Sequence, residues 1–224
     1  MKSIVISLGG SVFLSEDINQ QFFHELVSLL QHSSNTRKIY VVIGGGSPAR
    51  QYISRGRSLQ FSESDLDEIG ILITRVNATF LSKLCKDSNK KIPTTISKAI
   101  NIKKSLVIMG GTTPGHSTDF VGAELAKQVQ AERYIIATNV DGIFDKDPHK
   151  HSDAIHIPQI SVGDLLDTYG SSWETAGKNM VVDGPALQMI HDGNIPTVVL
   201  NGKNLDQLRN AIENKPFRGT RITV

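Results

Sequence analysis

The chain reads as an α/β protein with a mainly parallel sheet covered by helices on both faces. Two observations predict this. Strand and helix patterns alternate almost throughout, as parallel strands with helical crossovers require. Three apolar runs also end in paired glycines: Val5-Ile6-Ser7-Leu8 before Gly9-Gly10, Val41-Val42-Ile43 before Gly44-Gly45-Gly46, and Leu106-Val107-Ile108-Met109 before Gly110-Gly111. A short apolar run that stops in glycine is a buried strand turning sharply at its C-terminal end. If the three strands are parallel neighbours, their turns share the rim where open α/β sheets bind ligands. Glycine lets backbone approach a ligand, and a helix starting there offers free N–H groups to an anion.

The elements follow in order. Ser3 to Leu8 is the first expected strand. Asp17 to His32 is a helix with Phe22, Leu26, Leu29 and Leu30 on one face and Ser15 or Asp17 as cap. Lys38 to Ile43 is a strand, and Ser47 to Arg57 a short helix with Pro48 in its first turn. Ser64 to Lys86 is a long helix, in which Leu66, Ile69, Ile73, Val76, Phe80 and Leu84 recur at steps of three or four. Ile92 to Ile96 is a weak strand, Ile100 belongs to a short element after it, and Leu106 to Met109 is the next strand. Thr118 to Ala131 is a helix capped by Ser117 or Thr118. Arg133 to Ala137 is a strand; Val162 to Tyr169 and Pro185 to Asp192 are helices. Thr197 to Leu200 is a strand, Leu205 to Asn214 a helix, and Gly219 to Val224 a final strand. The Gly-, Ser- and Thr-rich stretch from Gly170 to Asn179 is a candidate mobile loop.

With 224 residues, 39% of them hydrophobic, the chain can bury a full core in one large domain or two small ones. A formal charge of +2 without a basic run argues against nucleic acid binding. The lone cysteine, Cys85, excludes an internal disulfide, fits a reducing compartment, and by its helical position is a core or interface residue. No stretch approaches the ~20 apolar residues of a membrane span, and a strand at the very start leaves no signal peptide. A soluble cytoplasmic protein is expected.

Several motifs are missing. The sequence contains no G-x-x-x-x-G-K-[ST], no H-R-D or D-F-G, no G-x-G-x-x-G after a strand, no H-E-x-x-H and no C-x-x-C. P-loop, protein-kinase, dinucleotide and structural-zinc readings fall with them, and no metal ligands are assigned. His149 and His151, flanking Lys150 in a polar loop, read as surface residues.

Four clusters remain. In Gly44-Gly45-Gly46-Ser47-Pro48-Ala49-Arg50, a guanidinium one turn into the helix suits a fork to phosphate oxygens, or is a solvated helix charge. In Gly110 to Asp119, hydroxyls and N–H groups at a helix start suit an anionic or sugar-bearing ligand, although Ser117 and Thr118 also serve as caps. In Thr138 to Pro148, an Asp141-Gly142 turn is followed by carboxylates and an aromatic that hold a purine and ribose or form only a polar hairpin. Asp65, Asp67 and Glu68 crowd a helix start, which dipole complementarity explains without a ligand.

Together these pieces resemble the amino acid kinase family and, within it, the archaeal-type UMP kinases, from Ser3 to about Thr223. The resemblance is carried by Leu8-Gly9-Gly10-Ser11-Val12, Gly44-Gly45-Gly46 with Arg50, Asp67 ahead of Gly70-Ile71, and Thr74-Arg75-Val76-Asn77-Ala78. Gly110-Gly111 with Pro114 to Asp119, and Thr138-Asn139-Val140-Asp141-Gly142, complete it. It implies a single domain over 1–224, a three-layer α/β/α sandwich with a mainly parallel sheet of about eight strands, transfer of the ATP γ-phosphoryl group to UMP, Mg²⁺ with the ATP, and commonly a homohexamer. By position, it implies that Gly9, Gly10, Gly45 and Arg50 meet ATP phosphates and that Thr138, Asn139, Phe144 and Asp147 hold adenosine. Gly44, Asp67 and the loop Thr112, Thr113, Pro114, Gly115, His116, Ser117, Thr118 would hold UMP. Asp183 matches a family aspartate that organises the charged groups, or is a helix cap.

Two departures stand out. Many family members carry a lysine just before the first glycine pair, where this chain has Val5-Ile6-Ser7, as in the archaeal branch; archaeal relatives often carry one after the triplet, where it has Ser47. Arg50 or Lys178 is the expected substitute cation. The competing functions are phosphoryl transfer to isopentenyl phosphate, a carbamate or a carboxylate, and nucleotide or oxyanion binding without turnover.

Overall fold

The computed structural model describes residues 1–15, 17–172 and 181–224. The strands are β1 Ser3–Leu8, β2 Lys38–Ile43, β3 Leu106–Met109, β4 Arg133–Thr138, β5 Ile143–Phe144, β6 His156–Ile157, β7 Gln159–Ser161, β8 Thr197–Asn201 and β9 Thr220–Thr223. The helices are α1 Gly10–Phe13, α2 Gln20–Ser34, α3 Gly46–Ser58, α4 Glu63–Leu84, α5 Ile96–Ile100, α6 Thr118–Gln128, α7 Val162–Tyr169, α8 Gly184–Gly193 and α9 Leu205–Glu213.

The main sheet has seven strands in the order β3-β2-β1-β4-β8-β9-β7, and β5 and β6 form a separate two-stranded ribbon. From β3 to β8 every pairing in the main sheet is parallel, as is β7 with β9; β8 with β9 is antiparallel, and so is the β5–β6 ribbon. Alternation along each strand sends side chains to opposite layers. Ile4, Ile6 and Leu8 pack with Leu26 and Leu30 of α2, Ala78 and Leu81 of α4, and Leu208 and Ile212 of α9. Val5, Val42 and Val107 pack with Val121 and Leu125 of α6, Leu165 of α7, and Leu187 and Ile190 of α8. The result is the expected three-layer sandwich. Cys85 lies in the first layer, where burial pushes its thiol up to about 11, so it is core and not a nucleophile.

Three local expectations are corrected. Helix α2 starts at Gln20 and is capped by Asn19, whose side chain accepts from the Phe22 N–H at 3.1 Å; Asp17 instead pairs with Lys203 at 2.8 Å. Ile92 to Ile96 is not a strand. Pro93 removes a ladder donor there, and Asn89 covers that edge of β3 instead: its side chain accepts from the Ile108 N–H at 2.7 Å and donates to the Ile108 carbonyl at 2.9 Å. The apolar stripe of α4 is split. Leu66 is buried, but Val76, Phe80 and Leu84 are 63%, 51% and 39% exposed, and the inward face includes Thr74 and Asn77. Those two polar residues face backbone that needs hydrogen bonds, as the site below requires. The short elements α1, β5, β6 and β7 carry too few residues for a periodic signal.

No described helix is long and apolar enough to cross a membrane. Asn89→Ala strips the Asn89 side chain from both the N–H and the carbonyl of Ile108 and is expected to lower stability by about 2–6 kcal/mol, because each of the two buried orphan groups costs about 1–3. Urea unfolding checks this; a loss under about 1 kcal/mol contradicts the edge role.

Candidate active site

Because β3, β2, β1 and β4 run parallel and side by side, the turns that follow them open on one rim. The first two turns touch. The Gly9 N–H donates to the Ala137 carbonyl at 2.9 Å and the Gly44 N–H to the Leu8 carbonyl at 3.0 Å. A Cβ on Gly10 would lie 2.0 Å from the Gly46 nitrogen, and one on Gly44 would lie 2.7 Å from the Gly10 nitrogen. Gly46 also has φ +68, a conformation that side chains resist. These glycines are therefore demanded first by backbone meeting backbone. Helices α1 and α3 start at these two turns without a side-chain cap. Every other helix among the described residues has one, from Asn19, Ser62, Thr95, Ser117, Ser161, Asp183 or Asn204. The N-terminal donors of a capless helix are open to an anion.

Helix α4 binds the rim together from behind. Asn77 Nδ2 donates to the Gly44 carbonyl at 2.8 Å. Thr74 Oγ1 accepts from the Gly111 N–H at 2.7 Å and donates to the Ile71 carbonyl at 2.6 Å. The Arg75 guanidinium donates to the carbonyls of Gly111 and Thr112, at 3.2 and 3.1 Å. Asp67 Oδ2 accepts from the Gly115 N–H at 2.6 Å, so Asp67 already holds the loop expected around UMP. Sequence reasoning assigned no role to Thr74, Arg75 or Asn77. The signal that reveals Thr74 and Asn77 is their spacing of three on a long helix, and no such pattern marks Arg75.

The loop from Thr112 to Thr118 lies over the start of α6. Thr113, Gly115 and His116 are exposed, and the His116 ring rests on Phe120 with centroids 4.2 Å apart. Ser117 caps α6 by accepting from the Phe120 N–H at 2.9 Å and also donates to Asp183 Oδ2 at 2.5 Å. Asp183 caps α8 by accepting from the Ala186 N–H at 2.9 Å. It is thus both a cap and a rim residue. Burial raises its carboxyl above the usual carboxylate range. Asp119, in the first turn of α6, accepts from Ser7 Oγ at 2.5 Å; burial and the nearby Asp183 push it up to about 7.

Thr138, Asn139, Phe144 and Asp147, the residues expected around adenosine, line one polar cleft of about 490 Å³ with Tyr169. The ribbon of β5 and β6 supplies the Phe144 wall, against which His156 packs at 5.2 Å. Asp147 is partly engaged: it accepts from the His149 N–H at 3.0 Å and faces Lys150 at 3.6 Å. Arg50 is exposed on α3 and has no ion pair among the described residues, so its guanidinium is free for an anion. Lys178 and most of the candidate mobile loop lie outside the described residues. No group of three metal-ligating side chains occurs among the described residues.

A three-layer α/β sandwich with joined glycine turns, two capless helix starts and an adjoining polar cleft defines a protein built to place phosphate-bearing ligands. The family follows from comparison: residues 2–201 match the model of the amino acid kinase family, and the chain belongs to it. It is 40% identical over 223 residues to the uridylate kinase of Thermoplasma volcanium, covering 99% of this chain and 97% of that one. It is 41% identical over 228 residues to that of Methanococcus maripaludis, covering 98% and 99%. Among solved structures it matches the uridylate kinase of Archaeoglobus fulgidus with a TM-score of 0.87, 34% identity and full coverage of both chains. The UMP kinase of Bacillus anthracis, at 20% identity and a TM-score of 0.78 over 99% of this chain and 96% of that one, shares the fold.

Proposed function

We propose that this chain is an ATP-dependent UMP kinase: it moves the γ-phosphoryl group of ATP to UMP, giving UDP and ADP. The observation that carries the reading is the continuity of the glycine rim. The adenosine-sized cleft lies beyond β4, the Asp67–Gly115 contact stands beside β3, and the capless starts of α1 and α3 lie between them. Two nucleotides laid end to end along that rim bring their phosphates together in the middle. Close relatives over the full length, themselves called uridylate kinases, support the same reading.

The residue roles follow from placement. Gly9, Gly10 and Gly45 leave room for ATP phosphates, and the free Arg50 forks onto their oxygens. Thr138, Asn139, Phe144 and Asp147 hold adenosine. Gly44, Asp67 and the Thr112 to Thr118 loop hold UMP, with Asp67 accepting from ribose hydroxyls. Asp183 arranges the charged groups at the junction. The UMP phosphate is itself the nucleophile, so no residue need form a covalent intermediate. The protein's work is alignment and charge neutralisation. Mg²⁺ is expected to come with ATP, offsetting charge on the β- and γ-phosphates. The reading places the protein in the cytoplasm with these substrates.

Self-association, up to the hexamer the resemblance implies, completes the proposal. Leu72, Val76, Phe80 and Leu84 form an exposed apolar row at four-residue spacing on the outer face of α4, and rows of this kind mark contact surfaces. We place a second copy of the chain on it.

ADP release with ATP, Mg²⁺ and a panel of acceptors tests the function. Turnover with UMP and none with isopentenyl phosphate, carbamate or carboxylates is expected; tight nucleotide binding without turnover refutes the enzyme reading. Asp67→Ala is expected to raise the KM for UMP far more than that for ATP, and an equal rise rejects the ribose assignment. Arg50→Ala is expected to cut kcat at least about tenfold, roughly 1.4 kcal/mol of barrier; an unchanged kcat removes Arg50 from the transfer. Phe80→Asp is expected to shift the light-scattering mass toward the monomer, and an unaltered mass rules out this face.

A further inference from the structure

Helix α4 grips the loop after β3 at both ends. At the tip, Asp67 Oδ2 accepts from the Gly115 N–H at 2.6 Å. At the root, Thr74 Oγ1 accepts from the Gly111 N–H at 2.7 Å. Beside it, Arg75 donates from Nε to the Gly111 carbonyl at 3.2 Å and from Nη2 to the Thr112 carbonyl at 3.1 Å. Arg75 is partly buried, and among the described residues it has no carboxylate partner. A planar fork of donors can hold two successive carbonyls in a fixed geometry, which an ammonium on a flexible stem does not match.

Holding two carbonyls fixes more than the carbonyls. Across a trans peptide, the carbonyl of one residue and the N–H of the next point in opposite directions, and no described peptide bond is cis. With the Gly111 and Thr112 carbonyls turned toward Arg75, the N–H groups of Thr112 and Thr113 are turned away from it. Neither has a hydrogen-bond partner among the described residues. The neighbouring N–H groups are all engaged: that of Gly111 by Thr74, that of Gly115 by Asp67, and that of His116 by the Thr113 carbonyl at 3.3 Å. Pro114 has no N–H. Thr112 and Thr113 therefore carry the two open donors between Gly111 and His116, and successive N–H groups left open in this way suit the oxygen atoms of an anionic ligand. Asn77 repeats the device at the second glycine turn, where Nδ2 donates to the Gly44 and Gly45 carbonyls at 2.8 and 3.4 Å.

We propose that Arg75 is a positioning residue for the acceptor nucleotide: its fork on two carbonyls keeps the Thr112 and Thr113 N–H groups directed at oxygen atoms of UMP. The inference rests on the kinase reading of the site and deepens it by naming the residue that sets the loop and the backbone donors the loop presents. Arg75 acts through the two peptides and has no need to touch the ligand. Without the fork, either peptide can rotate and offer a carbonyl oxygen where an N–H is required, and that oxygen repels the ligand's own. The positive charge of Arg75, unmatched by a described carboxylate, also favours an anion at the loop.

Arg75→Gln removes the charge and the fork; Arg75→Lys keeps the charge and loses the fork. The KM for UMP is expected to rise at least about tenfold in R75Q and several-fold in R75K, while the KM for ATP stays within about twofold of the wild type in both. An equal rise in the two constants signals a general loss of structure and overturns the proposal. So does an unchanged KM for UMP in R75Q, or an R75K enzyme indistinguishable from the wild type. If R75Q does not fold, R75K decides the matter. Hydrogen exchange supplies a readout without turnover. In the wild type, UMP is expected to slow exchange several-fold in a peptide spanning Gly111 to Gly115, and a non-hydrolysable ATP analogue is not. In R75K at equal UMP occupancy that protection is expected to shrink. No protection by UMP in the wild type, or full protection in R75K, also overturns the proposal. If the wild type neither binds nor phosphorylates UMP, the kinase reading fails. If it turns over UMP and R75Q keeps the wild-type KM, only the present inference fails.

Discussion

Backbone packed on backbone is the constraint on which the rest of this molecule depends. The turns after β1 and β2 approach so closely that a Cβ on Gly10 would come within 2.0 Å of the Gly46 nitrogen. Any side chain there would drive the first two strands' ends apart. Adjacent parallel strands separate by nearly 5 Å, so their following turns must be almost bare to meet. Once they meet, two helices start side by side, and neither spends its first N–H groups on a cap. The phosphate role proposed for the rim and this packing requirement select the same glycines.

Helix α4 has two faces with opposite demands. Inward, Thr74 and Asn77 are polar because the backbone they touch has unpaired groups of its own. Outward, Leu72, Val76, Phe80 and Leu84 are apolar although exposed. A globular helix normally shows the reverse arrangement. Phe80 also packs edge-on against Phe13 of α1, with centroids 5.9 Å apart, so the outer row reaches the first glycine turn through one aromatic contact. The exposed apolar row and the face that holds the rim belong to one helix.

The electrostatics show a cost accepted at a functional place. Two partly buried carboxylates share a corner, with Ser7, Ser117 and the Ala186 N–H as their hydrogen-bond donors, and each is raised by its loss of solvent. A core built for stability alone would replace one of them with an apolar residue.

The sequence by itself determined the α/β class, nearly every long element and the three glycine turns, because these depend on local periodicity and on glycine's freedom. β1, β2, β3 and α7 occupy the spans their patterns predict. Residue type and spacing singled out Arg50 and the Thr138 to Pro148 cluster as candidates, whereas the UMP role proposed for Asp67 came from the family resemblance alone. Only the tertiary structure decided which face of α4 turns inward, that Asn89 and not a strand covers β3, and that Asp119 lies beside Asp183. The α4 stripe misleads because periodicity cannot distinguish a row that faces the core from an apolar row left exposed. The Asn89 contact and the carboxylate pair join residues 19 and 64 positions apart along the chain, a proximity created by strand order and helix packing and written in no local pattern.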